Sequence, residues 1–324
     1  MFFIRAGLFY RRRIHKIQTY TKGKKKMRST RRSTLTAALC AVLAILMLAL
    51  VSCGGGGAKN ISAAKSIADL AGAKIAAQAG TFHADALSQI SKVQSSTYPE
   101  FADLLIALKS GAIDGYIAEE PTALAICLSE ESLDYLHFVN NDTGFEATDA
   151  DTGIAVGLKK GSELTARIND ALATVTTEQR AALMEQMVKL SAGKEIGELA
   201  VSAAEPENPA GTLKVAMECA YEPFNWTDLG TPSAGAVAIY EPNGQPAAGR
   251  YANGYDVQIA KYIAAKLGMK LEIYALEWDS LIPAVQAGTV DAIVAGMSPT
   301  AERAKEIDFS SVYYSSNLVV IIKK

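Results

Sequence analysis

Arg303 and Glu119 are the two side chains in this 324-residue sequence best suited to hold the ends of a small charged molecule. An arginine fork makes two parallel charge-assisted hydrogen bonds to a carboxylate, which lysine cannot reproduce. Taken alone, an arginine in the first turns of a helix is solvated surface, and a glutamate before Glu-Pro is exposed loop charge. Glu119 also has a place in an internal repeat. Residues 104–114 match residues 281–291 without a gap, each reading as a helix, a glycine stop and a strand. The strands end near Ile117 and Val294, so Glu119 and Gly296 occupy equivalent places just past strand ends, where open α/β sheets bind ligands.

Other residues cluster around these two in type. Gly80 and Thr81 follow a short apolar strand and open a helix, so backbone N–H groups there can meet an anion. Phe82 and His83 come next, and His83 is alternatively a plain surface residue. Tyr221, Phe224 and Trp278 can form a flat aromatic wall, and Glu218 adds a charge to it. A buried carboxylate facing the far end of a ligand favours a cationic group, because a neutral one leaves the charge unpaired. If Glu218 pairs with a cation of the protein itself, the preference moves to a neutral polar group. No His, Cys or carboxylate cluster has metal-ligand spacing, and no cofactor motif is present.

The elements that must position these residues alternate between strand and helix, which argues an α/β fold with parallel sheets. Residues 74–77 and 213–217 read as short apolar strands. Residues 256–267 place Val257, Ala260, Ile263, Ala264 and Leu267 on one helical face before Gly268 stops the helix. Residues 202–211, with Pro206 and Pro209 among small and acidic residues, are the one clear linker.

The N-terminus carries a separate message. Twelve of the 32 basic residues fall within residues 1–33 with no acid, and an uncharged apolar run over 35–51 ends in Val51-Ser52-Cys53. This reads as a secretory signal over 1–52 with lipidation at Cys53; a true start at Met27 gives the usual signal length. Residues 53–65 then form a tether, Gly-rich at its start. All 34 acids follow Cys53, so the remainder carries a net charge of about −14, which opposes nucleic-acid binding and suits a body held off an anionic membrane. Cys127 and Cys219 remain, with no pairing motif, and read as free thiols.

The run Gly296-Met297-Ser298-Pro299-Thr300-Ala301-Glu302-Arg303, followed by Ile307-Asp308-Phe309-Ser310, resembles the signature of family 3 extracellular solute-binding proteins, the polar-amino-acid receptors of ABC transporters. Residues 66–81 resemble that family's start of its second lobe, residues 114–121 the strand and turn that bear an acid, and residues 217–226 and 277–283 its first-lobe pocket segments. The resemblance implies a two-lobed, type II periplasmic-binding-protein fold. It implies that Ser298 and Arg303 grip a ligand carboxylate together with Gly80 and Thr81, that Glu119 meets the ammonium where the family commonly has Asp, and that Glu218, Tyr221, Phe224 and Trp278 form the side-chain pocket.

The resemblance also implies a reversed lobe order. Residues 66–151 match the family's second lobe, 152–200 the hinge crossing and helices returning to the first lobe, 201–211 a linker, and 212–324 the first lobe ending in a hinge strand. The strand at 317–322 is expected to pair beside 152–157 as a non-covalent hinge. The implied protein is a monomeric, lipid-anchored receptor on the outer face of the cytoplasmic membrane that delivers a free amino acid, leaning towards Lys, Arg or His, to an ABC permease. Glutamine or another neutral ligand, a sensory lipoprotein and a dehydratase-like enzyme on the same fold are the alternatives; an enzyme is disfavoured because, of His15, His83 and His137, only His83 lies near the site and it lacks a recognisable partner. Residues 228–250 form an insertion to which the resemblance assigns no role.

Overall fold

The computed structural model describes residues 59–324, and the signal segment, Cys53 and the first part of the tether lie outside them. Short apolar segments make up the sheets, and helices cover their faces. The first helix-and-strand run gives β1 (Lys74–Gln78), α1 (Phe82–Ala86), β2 (Gln94–Tyr98), α2 (Phe101–Ser110), β3 (Gly115–Glu119), α3 (Glu120–Ser129) and β4 (Leu133–Leu136). These strands and β16 (Leu318–Lys323) form a five-stranded sheet in the order β2-β1-β3-β16-β4.

A crossing segment follows, with α4 (Asp149–Thr152), β5 (Gly153–Ile154) and β6 (Gly157–Leu158), then the helices α5 (Leu164–Ala173) and α6 (Thr177–Ser191). The last third supplies β7 (Thr212–Met217), β8 (Ala220–Tyr221), β9 (Asn225–Leu229), β10 (Val237–Tyr240), β11 (Pro246–Asn253), α7 (Tyr255–Leu267), β12 (Lys270–Ala275), α8 (Leu281–Ala287), β13 (Ala292–Ile293), α9 (Arg303–Glu306), β14 (Asp308–Phe309) and β15 (Tyr314–Ser315). Most of these strands build a second sheet, ordered β14-β6-β13-β7-β12-β10-β11-β9-β8. The architecture is thus α/β and two-lobed, one lobe per sheet, with β5 and β15 paired between them in a separate ribbon.

The internal repeat has a physical counterpart in the two sheets. After α2, Gly111 turns the chain at φ +78, and Asp114 accepts from the Lys74 amide at 2.8 Å while its own amide donates to the Lys74 carbonyl at 2.8 Å. After α8, Gly288 does the same at φ +73, and Asp291 exchanges the same two bonds with Lys214, again at 2.8 Å each. In both lobes the aspartate therefore fixes the register of a strand against its parallel neighbour, and with it the position of that strand's far end.

One expectation needs correction here. Residues 318–323 are not a hinge strand beside 152–157. They pair antiparallel with β3 (Ile321 opposite Tyr116) and β4 inside the five-stranded sheet, while the hinge ribbon is made by Tyr314 opposite Ile154 and Ser315 opposite Gly153. The reason is the pattern Leu318-Val319-Val320-Ile321-Ile322, which is buried on both faces: Val319 and Ile321 join one apolar core, Val320 and Ile322 the other. Such a strand needs a sheet neighbour on each side, which the two-stranded hinge ribbon does not offer. The insertion at 228–250, to which the sequence assigned no role, has regular structure. It supplies β10 and β11, which widen the second sheet and pair β11 with β9.

Candidate functional site

The ends of strands from both sheets face one cleft: β1 delivers Gln78 and β3 delivers Glu119 from one sheet, and β7 of the other ends one residue before Glu218. The lining consists of Gln78, Thr81, Phe82, His83, Phe101 and Glu119 from the lobe of the five-stranded sheet, and Tyr221, Trp278, Ala295, Gly296, Ser298 and Arg303 from the other. The space among these side chains, counted together with its opening to solvent, is ≈ 300 Å³. The expected carboxylate and ammonium partners, Arg303 and Glu119, are therefore brought to one space from opposite lobes.

Arg303 is fixed on three sides. Its Nη1 donates to the Ser298 carbonyl at 2.9 Å, its Nη2 donates across the cleft to the Gly80 carbonyl at 3.0 Å, and its guanidinium lies 5.2 Å from the Trp278 ring centroid. Burial holds its pKa below the usual arginine value, offset by the charge of Asp85. The Trp278 indole also donates to the Gly80 carbonyl, at 3.2 Å. Gly80 thus faces the cleft with its carbonyl, where the sequence suggested an N–H. Its φ of +69, favoured by glycine, turns that carbonyl towards the two donors. Thr81 uses its hydroxyl internally, donating to the Gln78 carbonyl at 2.7 Å.

Glu119 and His83 are both buried, with 3.0 Å between His83 Nε2 and Glu119 Oε2. His83 is not a surface residue. Its ring meets Phe101 edge-on at 5.8 Å, and Phe101 in turn stacks on Tyr221 of the other lobe at 4.1 Å with an interplanar angle of 15°.

The aromatic wall is thinner than expected. Tyr221, Trp278 and Phe82 line the cleft, but Phe224 does not. It is 1% exposed and packs behind Tyr221 at 5.1 Å, because the turn between the two residues puts them in successive layers. Glu218 also stands outside the immediate lining, bound across the cleft by the Gln78 amide at 2.7 Å. Burial first, then the neighbouring acids Glu100, Glu277 and Asp279, push its pKa up to about 7 against the pull of Gln78. Its hydrogen-bond partner is a neutral amide, and no cation pairs with it among the described residues.

Three contributors escaped sequence reasoning. Gln78 carried a usable signal, since it is a polar residue at the end of a buried strand, in the same place as Glu119. Phe101 gave none, because an aromatic opening an amphipathic helix reads as core. Asp256 also reads as helix surface yet is fully buried. Its carboxylate accepts from Tyr313 Oη at 2.7 Å, from Asn225 Nδ2 at 2.8 Å and from the Gly296 amide, while burial lifts its pKa to about 7. It thereby ties α7 to the loop that carries Gly296, Ser298 and Arg303. Cys127 and Cys219 are free thiols, and burial pushes both pKa values up, to about 11 and about 12, which makes them poor nucleophiles.

Part of the chain is similar to a known family. The model of the bacterial extracellular solute-binding proteins, family 3, matches residues 234–324. The arginine-binding extracellular protein ArtP of Bacillus subtilis (strain 168) is 44% identical over 71 residues, 22% of this chain and 28% of that protein. The ABC transporter arginine-binding protein 1 of Escherichia coli (strain K12) is 33% identical over 90 residues, 28% of this chain and 37% of that protein. The glutamine-binding protein GlnH of Bacillus subtilis is 40% identical over 74 residues, 22% of this chain and 27% of that protein. Among solved structures, an ancestral arginine-binding protein bound to glutamine is 36% identical, covering 33% of this chain and 39% of that chain at a TM-score of 0.24. The chain aligns with well under half the length of each of these relatives. Over the stretch that carries Gly296, Ser298 and Arg303, it is similar to the bacterial extracellular solute-binding proteins, family 3.

Proposed function

We propose that this protein is an extracytoplasmic receptor that holds a free amino acid between its two lobes and presents it to an ABC permease. The observation that carries the proposal is the presence of Arg303 and Glu119 in one cleft, from opposite lobes and beside the aromatic faces of Tyr221 and Trp278. In this reading Arg303 and the Ser298 hydroxyl take the ligand carboxylate, Glu119 takes the ammonium, and Tyr221 and Trp278 flank the side chain. A ligand touching both lobes stabilises their closed arrangement by its differential contacts.

The preferred ligand in this proposal is a basic amino acid. Glu218 has Glu100, Glu277 and Asp279 as charged neighbours and a neutral amide as its partner, so this end of the cleft is acidic and lacks an internal cation. A guanidinium or ammonium answers that field, whereas a glutamine amide leaves the acids uncompensated. The relatives named for arginine fit this preference, and the one named for glutamine defines the competing reading. Cleavage before Cys53, lipidation of its thiol and attachment to the outer face of the cytoplasmic membrane remain part of the proposal. So does the reversed lobe order, in which the segment resembling the family's first lobe follows the one resembling its second.

Calorimetric titration against the free amino acids tests the reading. Arginine or lysine is expected to bind more tightly than glutamine by about 10–100-fold, the worth of one or two charge-assisted hydrogen bonds. Arg303→Ala and Glu119→Ala are each expected to weaken binding by at least about 10-fold. No heat with any amino acid, or unchanged affinity in both variants, overturns the proposal.

A further inference from the structure

Phe101 enters the cleft from the lobe opposite Tyr221, and the two rings stack at 4.1 Å with an interplanar angle of 15°. Phe224 packs on Tyr221 from within its own lobe, at 5.1 Å and 23°. Phe101 and Phe224 make no ring contact with each other among the described residues, so they cover Tyr221 from different sides. A ligand lying beside this stack therefore meets ring edges, and the Tyr221 face that looks across the cleft is taken by a ring of the protein itself.

The chain around Phe101 explains why it stands there. Strand β2 ends at Tyr98, whose carbonyl accepts from the Ala79 amide at 2.8 Å, and the next carbonyl, of Pro99, accepts from the Gln78 side-chain amide at 3.0 Å. These bonds pin the turn before α2 to the end of β1, so the first residue of α2 is delivered to the cleft. Leu104 and Leu108, one and two turns further on, hold the helix in the core. His83 meets the Phe101 ring edge-on at 5.8 Å.

We propose that Phe101 is a specificity-determining residue: its ring occupies the stacking place on Tyr221 that an aromatic ligand side chain would take, and so excludes aromatic amino acids while a slender aliphatic chain passes. This deepens the reading of the cleft given above and rests on it. Phenylalanine as a ligand carries the same benzyl group as Phe101, so the two compete for one face. The tethered ring wins because it has no translational freedom to lose on stacking. Trp278, the other large ring contributed by the Tyr221 lobe, is engaged by the Arg303 guanidinium at 5.2 Å. The methylene stem of a lysine or arginine ligand requires no free ring face.

Competition calorimetry tests the assignment, with phenylalanine and methionine displacing bound arginine, or bound glutamine if that is the tighter ligand. Both competitors are uncharged and apolar, so their ratio isolates the ring from the acidity of the cleft. In the wild-type chain phenylalanine is expected to compete at least about 10-fold more weakly than methionine. Phe101→Ala is expected to strengthen phenylalanine by about 10-fold relative to methionine, the worth of one aromatic pair with its burial. Phe101→Leu keeps an apolar anchor for α2 and is expected to shift the ratio in the same direction by about 3-fold, which serves if the alanine variant fails to fold. A merely structural role for Phe101 would weaken every ligand by one common factor. Phenylalanine that competes as well as methionine in the wild-type chain, or an unchanged ratio in the folded variants, overturns the inference while leaving the amino-acid reading intact. Absence of binding of any free amino acid removes both.

Discussion

At the scale of the residue, the cleft concentrates acid where burial penalises charge. Glu218 is the clearest case, because its pKa of about 7 in the folded protein exceeds the ordinary 4.5. A carboxyl whose folded pKa is raised stabilises the native state in its protonated form. That contribution is fully present below about pH 4.5 and is lost as pH rises through about 7. Glu218→Gln mimics the protonated carboxyl and keeps an acceptor for the Gln78 amide, so stability between those values is expected to become flatter. Above pH 7 the variant is expected to be more stable than the parent by up to about 3 kcal/mol, discounted for partial solvent access. Urea denaturation midpoints at pH 5 and pH 8 measure the difference, and an equal decline in parent and variant would show that Glu218 is not the titrating group. The same substitution is expected to remove the preference for arginine over glutamine.

Part of the cleft was legible in the sequence from where strands end. Gly296 and Glu119 could be placed this way because helix, glycine stop and strand recur at equal spacing in both lobes, whereas Ser298 and Arg303 were placed by their resemblance to a family signature. His83 could not, since its burial depends on Phe101 and Glu119, which reach it only in three dimensions. Phe224 was misplaced for a related reason, as spacing along a turn does not say which aromatic faces the ligand and which supports it.

At the scale of the element, the junction between β11 and α7 sets the first-lobe half of the cleft. Gly254 adopts φ +127, and a Cβ there would run into the Phe224 carbonyl. The tight approach lets the Tyr255 and Asp256 amides donate to the Pro223 and Phe224 carbonyls at 3.0 and 2.8 Å. Asp256 then reaches Tyr313, Asn225 and the Gly296 amide from the first turn of α7. Gly254→Ala combines a disfavoured backbone conformation with a backbone clash and is expected to cost about 2–4 kcal/mol in chemical denaturation. A loss under about 0.5 kcal/mol would mean that the junction relaxes freely. Helix α7 itself was readable, from its five apolar positions to its stop at Gly268, φ +69. The destination of β16 was not, because a continuous apolar run announces burial on both faces without naming the sheet that provides it.

At the scale of the whole molecule, the chain passes between lobes twice, through residues 152–158 and 308–318. The two passages are laced together by Tyr313 N to Ile154 O at 2.9 Å, Ser310 N to Val156 O at 2.9 Å and Val156 N to Ser310 Oγ at 2.9 Å. Both passages are covalently continuous, so the proposed reversal of lobe order need not weaken the hinge. Its joint belongs elsewhere. Residues 59–61 and 322–324 line one hollow on the five-stranded lobe, where the Lys59 amide donates to Asp114 and the Lys324 amide donates to the Ser132 carbonyl. Residues 202–211, the other candidate joint, carry no regular structure and are mostly exposed. A rearranged chain that runs from 212 to 324, continues through a short glycine-serine connection into 59, and ends at 200 therefore alters backbone only at accessible, irregular positions. It is expected to keep the same circular-dichroism spectrum and to bind the same amino acid within about 3-fold, since Arg303, Glu119 and both hinge passages are untouched. Binding weakened by more than about 100-fold in a folded rearranged chain would mean that the order of the lobes shapes the cleft itself, and the proposed reversal would then be wrong.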